Sequence, residues 1–276
     1  GKTFKATTGD KAVDHYHRYK EDVKLMAEMG LKTYRFSIAW SRVIPDGNGP
    51  VNEKGLQFYD DLVNELLKYG IEPMVTVYHW DMPQALEDQY HGFEDRRIID
   101  DFVNYATVLF KKLGDRVKYW IIMNEQNVFT TFGWMNGMHP PGKKNEEKLF
   151  YQVNHHANIA FAKSVLALKA LYPDAKVGSS FAYTPGYAYD RHPENAMALE
   201  DYNDLKNFYW MDIYALGRYP RAAIKYLESK GVAPEFAPGD KQVLKEAAAK
   251  VDFMGVNYYQ SCVVEHNPID GVGMSM

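Results

Sequence analysis

The sequence predicts an α/β protein built from parallel β/α units, with a (β/α)8 barrel favoured over a doubly wound open sheet. Three observations carry that expectation. Five strand-like segments alternate with helix-like ones along the chain. Those strands read as nearly continuous apolar runs, as expected when both faces are buried. The polar residues with chemical character fall mostly at the strands' C-terminal ends, the rim where barrels carry their sites. No G-x-G-x-x-G fingerprint and no P-loop is present.

The elements follow in order. Asp14 to Gly30 has Tyr16, Tyr19, Val23, Met26 and Ala27 at three- and four-residue spacing, and Gly30 stands where a helix stops. Thr33 to Trp40 is short, β-branched and aromatic, and so a strand. Asn52 is placed to cap a helix to Tyr69, with Phe58, Leu62, Leu66 and Leu67 as its buried stripe and Gly70 as its end. Glu72 to Tyr78 is a strand, Arg97 to Leu113 a helix stopped by Gly114, and Val117 to Met123 a strand. Gln152 to Tyr172 is a long helix ended near Pro173, and Ala175 to Phe181 a strand. Asn195 to Lys250 is helix-rich, with Pro220 and Pro234 as breaks. Val251 to Tyr258 is the fifth strand. No linker or low-complexity segment interrupts this pattern, so residues 1–276 read as a single domain.

Composition narrows the function. The chain has 276 residues, 46% hydrophobic and 25% charged, which excludes a disordered chain. Its 20 Gly and 13 Pro show no collagen-like period. Net charge is 32 − 36 = −4 with no basic stripe, so neither nucleic acid nor an anionic membrane surface is an expected partner. No apolar run approaches the roughly 18 residues of a spanning helix. The single cysteine, Cys262, and the polar start from Gly1 to Asp10 lead us to expect a reducing, cytoplasmic setting. Aromatic content is high at 14%, which fits either a large aromatic core or faces for sugar rings.

Four constellations have chemical character. The first is the strand Trp120-Ile121-Ile122-Met123 ending in Asn124-Glu125. A buried carboxylate is costly unless paired or protonated, and desolvation favours the protonated form that a general acid needs. The bland alternative is a strand end whose Glu points to water. The second is His79-Trp80-Asp81-Met82-Pro83. Here His79 offers a hydroxyl donor, Trp80 an indole face and one N–H, and Asp81 and Pro83 shape the turn. A satisfied core histidine is the alternative for His79. The third is Arg35 inside an apolar strand, where burial would demand an anionic partner, catalytic or structural. The fourth is Asn257-Tyr258-Tyr259, whose hydroxyls reach a site or close the rim.

Other chemistries find less support. His155-His156 and His15/His17 face different sides of their helices, and no H-E-x-x-H or Cys cluster occurs, so no metal is expected. No G-x-S-x-G elbow is present, and Cys262 has no evident His partner. Lys143, Lys144 and Lys148, mixed with Glu146 and Glu147, read as a solvated face.

Together these segments resemble glycoside hydrolase family 1, the β-glucosidase family. The resemblance runs along essentially the whole chain. It rests on the segments from Asp14 to Asp22, Tyr34 to Arg42 and Val51 to Leu56, on His79 to Pro83, on Asn124-Glu125, and on Asp252 to Tyr259. It implies a (β/α)8 TIM barrel and a retaining mechanism on β-glucosides or oligosaccharides, without cofactor or metal. By the resemblance Glu125 is the acid/base, Asn124 binds the sugar 2-hydroxyl, and His79 and Trp80 bind hydroxyls of the same ring. Arg35 and Tyr258 flank the nucleophile. Retention needs two carboxyl groups roughly 5 Å apart, which would give Arg35 its anion. A 6-phospho-β-glucosidase is the nearest alternative, with Trp80 leaning toward the free sugar. The phosphate readers of that class lie near strand eight. A sugar-binding scaffold without turnover is the alternative of another class.

The sequence also departs from the family. Gln126-Asn127 follow Glu125 where Pro is common, a position expected on the aglycone side. The Gln-Ile-Glu-Gly-like segment of the first strand would precede Gly1. The Thr-Glu-Asn-Gly nucleophile motif of the seventh strand occurs nowhere here, and the eighth strand is also lacking. The segments match strands two to six. Five strands cannot close a barrel, so two open edges are expected to drive self-association or pairing with a complementary fragment.

Overall fold

The computed structural model describes residues 5, 7–8 and 11–268. Helix α1 (His15–Glu28) leads to strand β1 (Thr33–Ser37), then α2 (Trp40–Val43) and α3 (Glu53–Lys68). Strand β2 (Glu72–Tyr78) is followed by α4 (Gln84–Tyr90) and α5 (Ile98–Leu113), and β3 (Tyr119–Asn124) by α6 (Gln126–Thr130) and α7 (Glu147–Leu171). After β4 (Lys176–Tyr183) and the short β5 (Gly186–Ala188) come α8 (Pro193–Asn203), α9 (Tyr209–Leu216), α10 (Arg221–Ser229) and α11 (Asp240–Ala248). The final strands are β6 (Phe253–Tyr258) and β7 (Cys262–Val264). One-turn π-helical segments continue α6 over Thr131–Met135 and join α8 to α9 over Asp204–Phe208.

Five strands form one wholly parallel sheet in the order β1-β2-β3-β4-β6. The order follows the chain without reversal. A doubly wound sheet reverses at a switch point, so this is barrel topology: a half-barrel with β1 and β6 at its edges. The second sheet pairs β5 with β7, parallel, just beyond the ends of β4 and β6. Gly178 permits a close approach of β4 to β6. A Cβ there would lie 2.1 Å from the Phe253 carbonyl oxygen on β6.

The central strands are continuously buried, as their apolar runs predict, but β1 and β6 alternate between partly buried and exposed residues. An edge strand has one neighbour and one covered face. The strand expected to reach Trp40 stops at Ser37, because Trp40 enters α2 and stacks on Tyr105 at 5.0 Å. The Tyr105 hydroxyl bonds to the Ile38 and Val77 carbonyls and so locks the ends of β1 and β2 together. Asn52 does stand at the start of α3, but its side chain does not cap. It donates to the Arg42 carbonyl instead. The high aromatic content is chiefly core: Trp40, Trp120, Trp134 and Trp210 are buried, and Trp80 alone among the five tryptophans is only half-buried. No helix among the described residues is long and apolar enough to cross a membrane.

Candidate active site

Glu125 stands one residue past β3, at the start of α6. Its φ of 46° lies in the left-handed region, and so does the 72° of Trp80 past β2. Non-glycine residues seldom adopt that region, and such strain gathers at functional sites. The Glu125 amide donates to the Ser180 carbonyl on β4 at 2.8 Å, which anchors the strained turn. The side chain is 5% exposed. Its Oε1 accepts from Asn257 Nδ2 at 2.7 Å and from the Tyr259 hydroxyl at 3.4 Å, and its Oε2 accepts from Asn124 Nδ2 at 3.2 Å. Three donors therefore hold a buried carboxylate that the strand end alone would leave unpaired.

Asn124 organises the centre. Its amide nitrogen meets Glu125 Oε2 and His79 Nε2, the latter at 3.1 Å. Its oxygen accepts from Arg35 Nη2 at 2.6 Å and Ser180 Oγ at 2.8 Å. Two donors and two lone pairs are the full capacity of a primary amide. The orientation is fixed by charge, since a flip would set the NH2 against the guanidinium and the oxygen against the carboxylate. A sugar hydroxyl reaching Asn124 must displace one of these bonds.

Burial lowers the His79 ring pKa, and nearby Arg35 pushes the same way, against the opposing pull of Glu125. A neutral ring that accepts from Asn124 at Nε2 keeps its proton on Nδ1, a donor for a hydroxyl. Trp80 differs from expectation. Its indole N–H donates to the Asn124 carbonyl at 2.8 Å, so the ring face is what it offers. Asp81 shapes the turn as expected, accepting from the Trp40 and His79 amides.

Arg35 is not the buried cation the sequence suggested. It is exposed on the inner face of β1, and its hydrogen-bond partners are neutral: Thr76, Asn124 and Ser180 on the next three strands. Among the described residues the guanidinium hydrogen-bonds across the sheet to neutral groups, while the nearby Glu125 carboxylate favours its charged form. The Tyr258 side chain is exposed, while its neighbours Asn257 and Tyr259 reach Glu125. Successive side chains in extended backbone point to opposite sides, so 257 and 259 share the face that 258 does not. Sequence reasoning named Asn257 without giving it a role and missed Thr76 and Ser180. Period-two alternation from the start of β6 would have singled out Asn257.

Gln126 departs furthest from expectation. It is fully buried and points away from the sugar side into a polar network. Its amide nitrogen reaches Asn154 and Asn158 on α7, and its oxygen accepts from the Tyr214 hydroxyl on α9. Asn158 donates to the Tyr219 hydroxyl, which also meets His155 Nδ1, and His155 Nε2 meets Asp240 at 2.8 Å. Lys143 is likewise no solvated residue: it pairs with Glu94 at 2.7 Å, beside the Trp134 indole N–H on the same carboxylate. A cavity of about 270 Å³ lies next to Trp80, walled by Tyr78, Phe93, Phe129, Trp134 and His139.

A family model, Glycosyl hydrolase family 1, matches residues 1–276. The aryl-phospho-β-D-glucosidase BglC of Bacillus subtilis (strain 168) is 53% identical over 272 residues, 99% of this chain and 56% of that protein. β-Glucosidase A of Acetivibrio thermocellus is 39% identical over 268 residues, 97% of this chain and 59% of that one. The crystal structure of a rice β-glucosidase superposes with a TM-score of 0.92 at 34% identity, covering all of this chain and 62% of that one. The chain therefore spans about half the length of the curated relatives it matches.

Proposed function

The chain belongs to glycosyl hydrolase family 1, and from that premise we propose that it carries the acid/base half of a retaining β-glycosidase acting on aryl β-glucosides or short β-linked oligosaccharides. The observation that carries this reading is Glu125: buried, strained at its backbone, and held by three donors at the strand ends. In this role its carboxyl group protonates the glycosidic oxygen as the bond to the leaving group breaks. Its carboxylate then takes a proton from the water that releases the sugar. Asn124 holds the carboxylate and meets the 2-hydroxyl, His79 donates from Nδ1, and Trp80 lies under the ring. Arg35 and Tyr259 line the side from which a nucleophilic carboxylate approaches, while Tyr258, first expected there, faces away. Among the described residues no hydrogen bond brings a second carboxylate to Glu125, so double displacement needs that group from elsewhere.

A 6-phosphorylated sugar is the second reading. It is favoured by 53% identity to an aryl-phospho-β-D-glucosidase against 39% to a β-glucosidase. The test is hydrolysis of phenyl β-glucoside and its 6-phosphate, whose leaving group needs protonation, by the wild type and Glu125→Gln. Loss of about 10²–10⁴-fold in kcat/KM for an unactivated leaving group is expected of a missing general acid. Full activity in Glu125→Gln would overturn the assignment. Sugar binding without turnover in either protein would point to the scaffold reading.

A further inference from the structure

Far from Glu125 in sequence, a groove of about 800 Å³ opens between α10, α11 and the end of α9. Two pairs of cations flank it. Arg221 and Lys225 lie four residues apart on α10, and Lys241 and Lys245 four apart on α11, so each pair shares one side of its helix. Arg218 stands at the end of α9. All five are exposed, and none is in an ion pair among the described residues. Glu228 is the one acidic residue in the lining. Such a concentration of unpaired positive charge in a chain of net charge −4 is a local feature, not a consequence of overall composition.

The floor is apolar and aromatic. Tyr219 is buried, with its hydroxyl held by His155 and Asn158, so the ring is fixed in place. Phe236 is half-buried, and the Lys241 ammonium sits 5.1 Å from its ring centroid. Ile224 and Leu244 complete the floor. A Cβ on Gly217 would lie 2.6 Å from the Leu244 carbonyl oxygen, so α9 ends directly against α11 and the groove has a rigid head.

We infer that this groove binds a small oligophosphate carrying an aromatic ring, the chemistry of a nucleoside di- or triphosphate. Its volume of about 800 Å³ lies within the roughly 300–1,000 Å³ of small-molecule sites. Flanking cations match a multiply charged anion, and the aromatic floor matches a ring that a simple phosphate lacks. The site is independent of the glycosidase reading, because no residue of it touches Glu125 or its partners.

The test is titration calorimetry of the intact protein with ATP, tripolyphosphate and adenosine, in EDTA at low ionic strength. Saturable one-to-one ATP binding below about 1 mM is expected, tighter than for tripolyphosphate or adenosine. Lys241→Glu/Lys245→Glu should weaken ATP binding about tenfold or more. Lys54→Glu/Lys111→Glu, which makes the same change of net charge on exposed positions of α3 and α5, should leave it unchanged. Phe236→Leu should weaken ATP about fivefold and spare tripolyphosphate. Absence of saturation, equal affinity for ATP and tripolyphosphate, or equal loss in the control pair would overturn the inference. Thermal melts of each variant exclude misfolding as the cause.

Discussion

Asn257 on β6 donates its side-chain amide to Glu125 Oε1 at 2.7 Å, joining the edge strand to the carboxylate beyond β3. It is the shortest of the three bonds to that carboxylate. The half-barrel thus holds Glu125 from both sides, by Asn124 along its own strand and by Asn257 from across the sheet.

Replacing Asn257 by Ala removes that bond while leaving a half-buried position that collapses at little cost. A hydrogen bond to a charged group contributes about 1.5–3 kcal/mol. Steady-state assays should therefore show kcat/KM falling about tenfold or more on unactivated aryl glycosides, with a melting temperature near that of the wild type. An unchanged kcat/KM would mean that Asn257 does not orient the carboxylate.

Gln126→Leu tests the buried network. The substitution keeps volume but strips partners from the Asn158 amide oxygen and the Tyr214 hydroxyl, both inaccessible to solvent. Unsatisfied buried polar groups cost about 1–3 kcal/mol each. Urea unfolding should show a loss of about 2–4 kcal/mol. Were the loss under half a kilocalorie, the network would not be a stabilising element.

At Gly178 the added methyl of Ala collides with the Phe253 carbonyl oxygen and forces β6 away from β4. Overpacking of this kind costs about 1–3 kcal/mol. Since Asn257 reaches Glu125 only through that pairing, activity should fall together with stability. Retention of full activity in the variant would show that the strands adjust without moving Asn257.

The pH dependence follows from His155 and His156 on α7. Burial lowers both rings below the ordinary 6.5 and outweighs the raising effect of Asp240 on His155 and of the Phe93 carbonyl on His156. The folded state therefore keeps them neutral where the unfolded chain takes up protons. Stability is fully present above pH 6.5 and is lost as pH falls from there toward the lower folded values. Urea titrations at pH 7.5 and 5.5 should show the weaker fold at 5.5, with a smaller difference in His155→Gln. Equal stability at the two values would contradict the direction.

Much of the site was legible because strand ends are legible. Apolar runs stop abruptly at His79 and at Asn124-Glu125, and a parallel sheet carries such ends to one rim. Arg35 was legible as a residue but not in its setting. An apolar neighbourhood in sequence suggests an anionic partner for Arg35, whereas its hydrogen bonds cross three strands to neutral groups. The family resemblance names Tyr258 as flanking the nucleophile, whereas alternation along the extended backbone turns Asn257 and Tyr259 toward the Glu125 carboxylate.

What the sequence by itself determined was the alternation of elements, the parallel sheet and the residues at its ends, since those depend on local periodicity and on where apolar runs stop. Only the tertiary structure decided that Gln126 turns inward to α7 and α9, that Asn257 and Tyr259 hold Glu125, and that four cations of α10 and α11 share one groove with Arg218. These relations join residues between about 20 and 130 positions apart. No local pattern encodes such distances; they arise when the packed backbone fixes which faces meet.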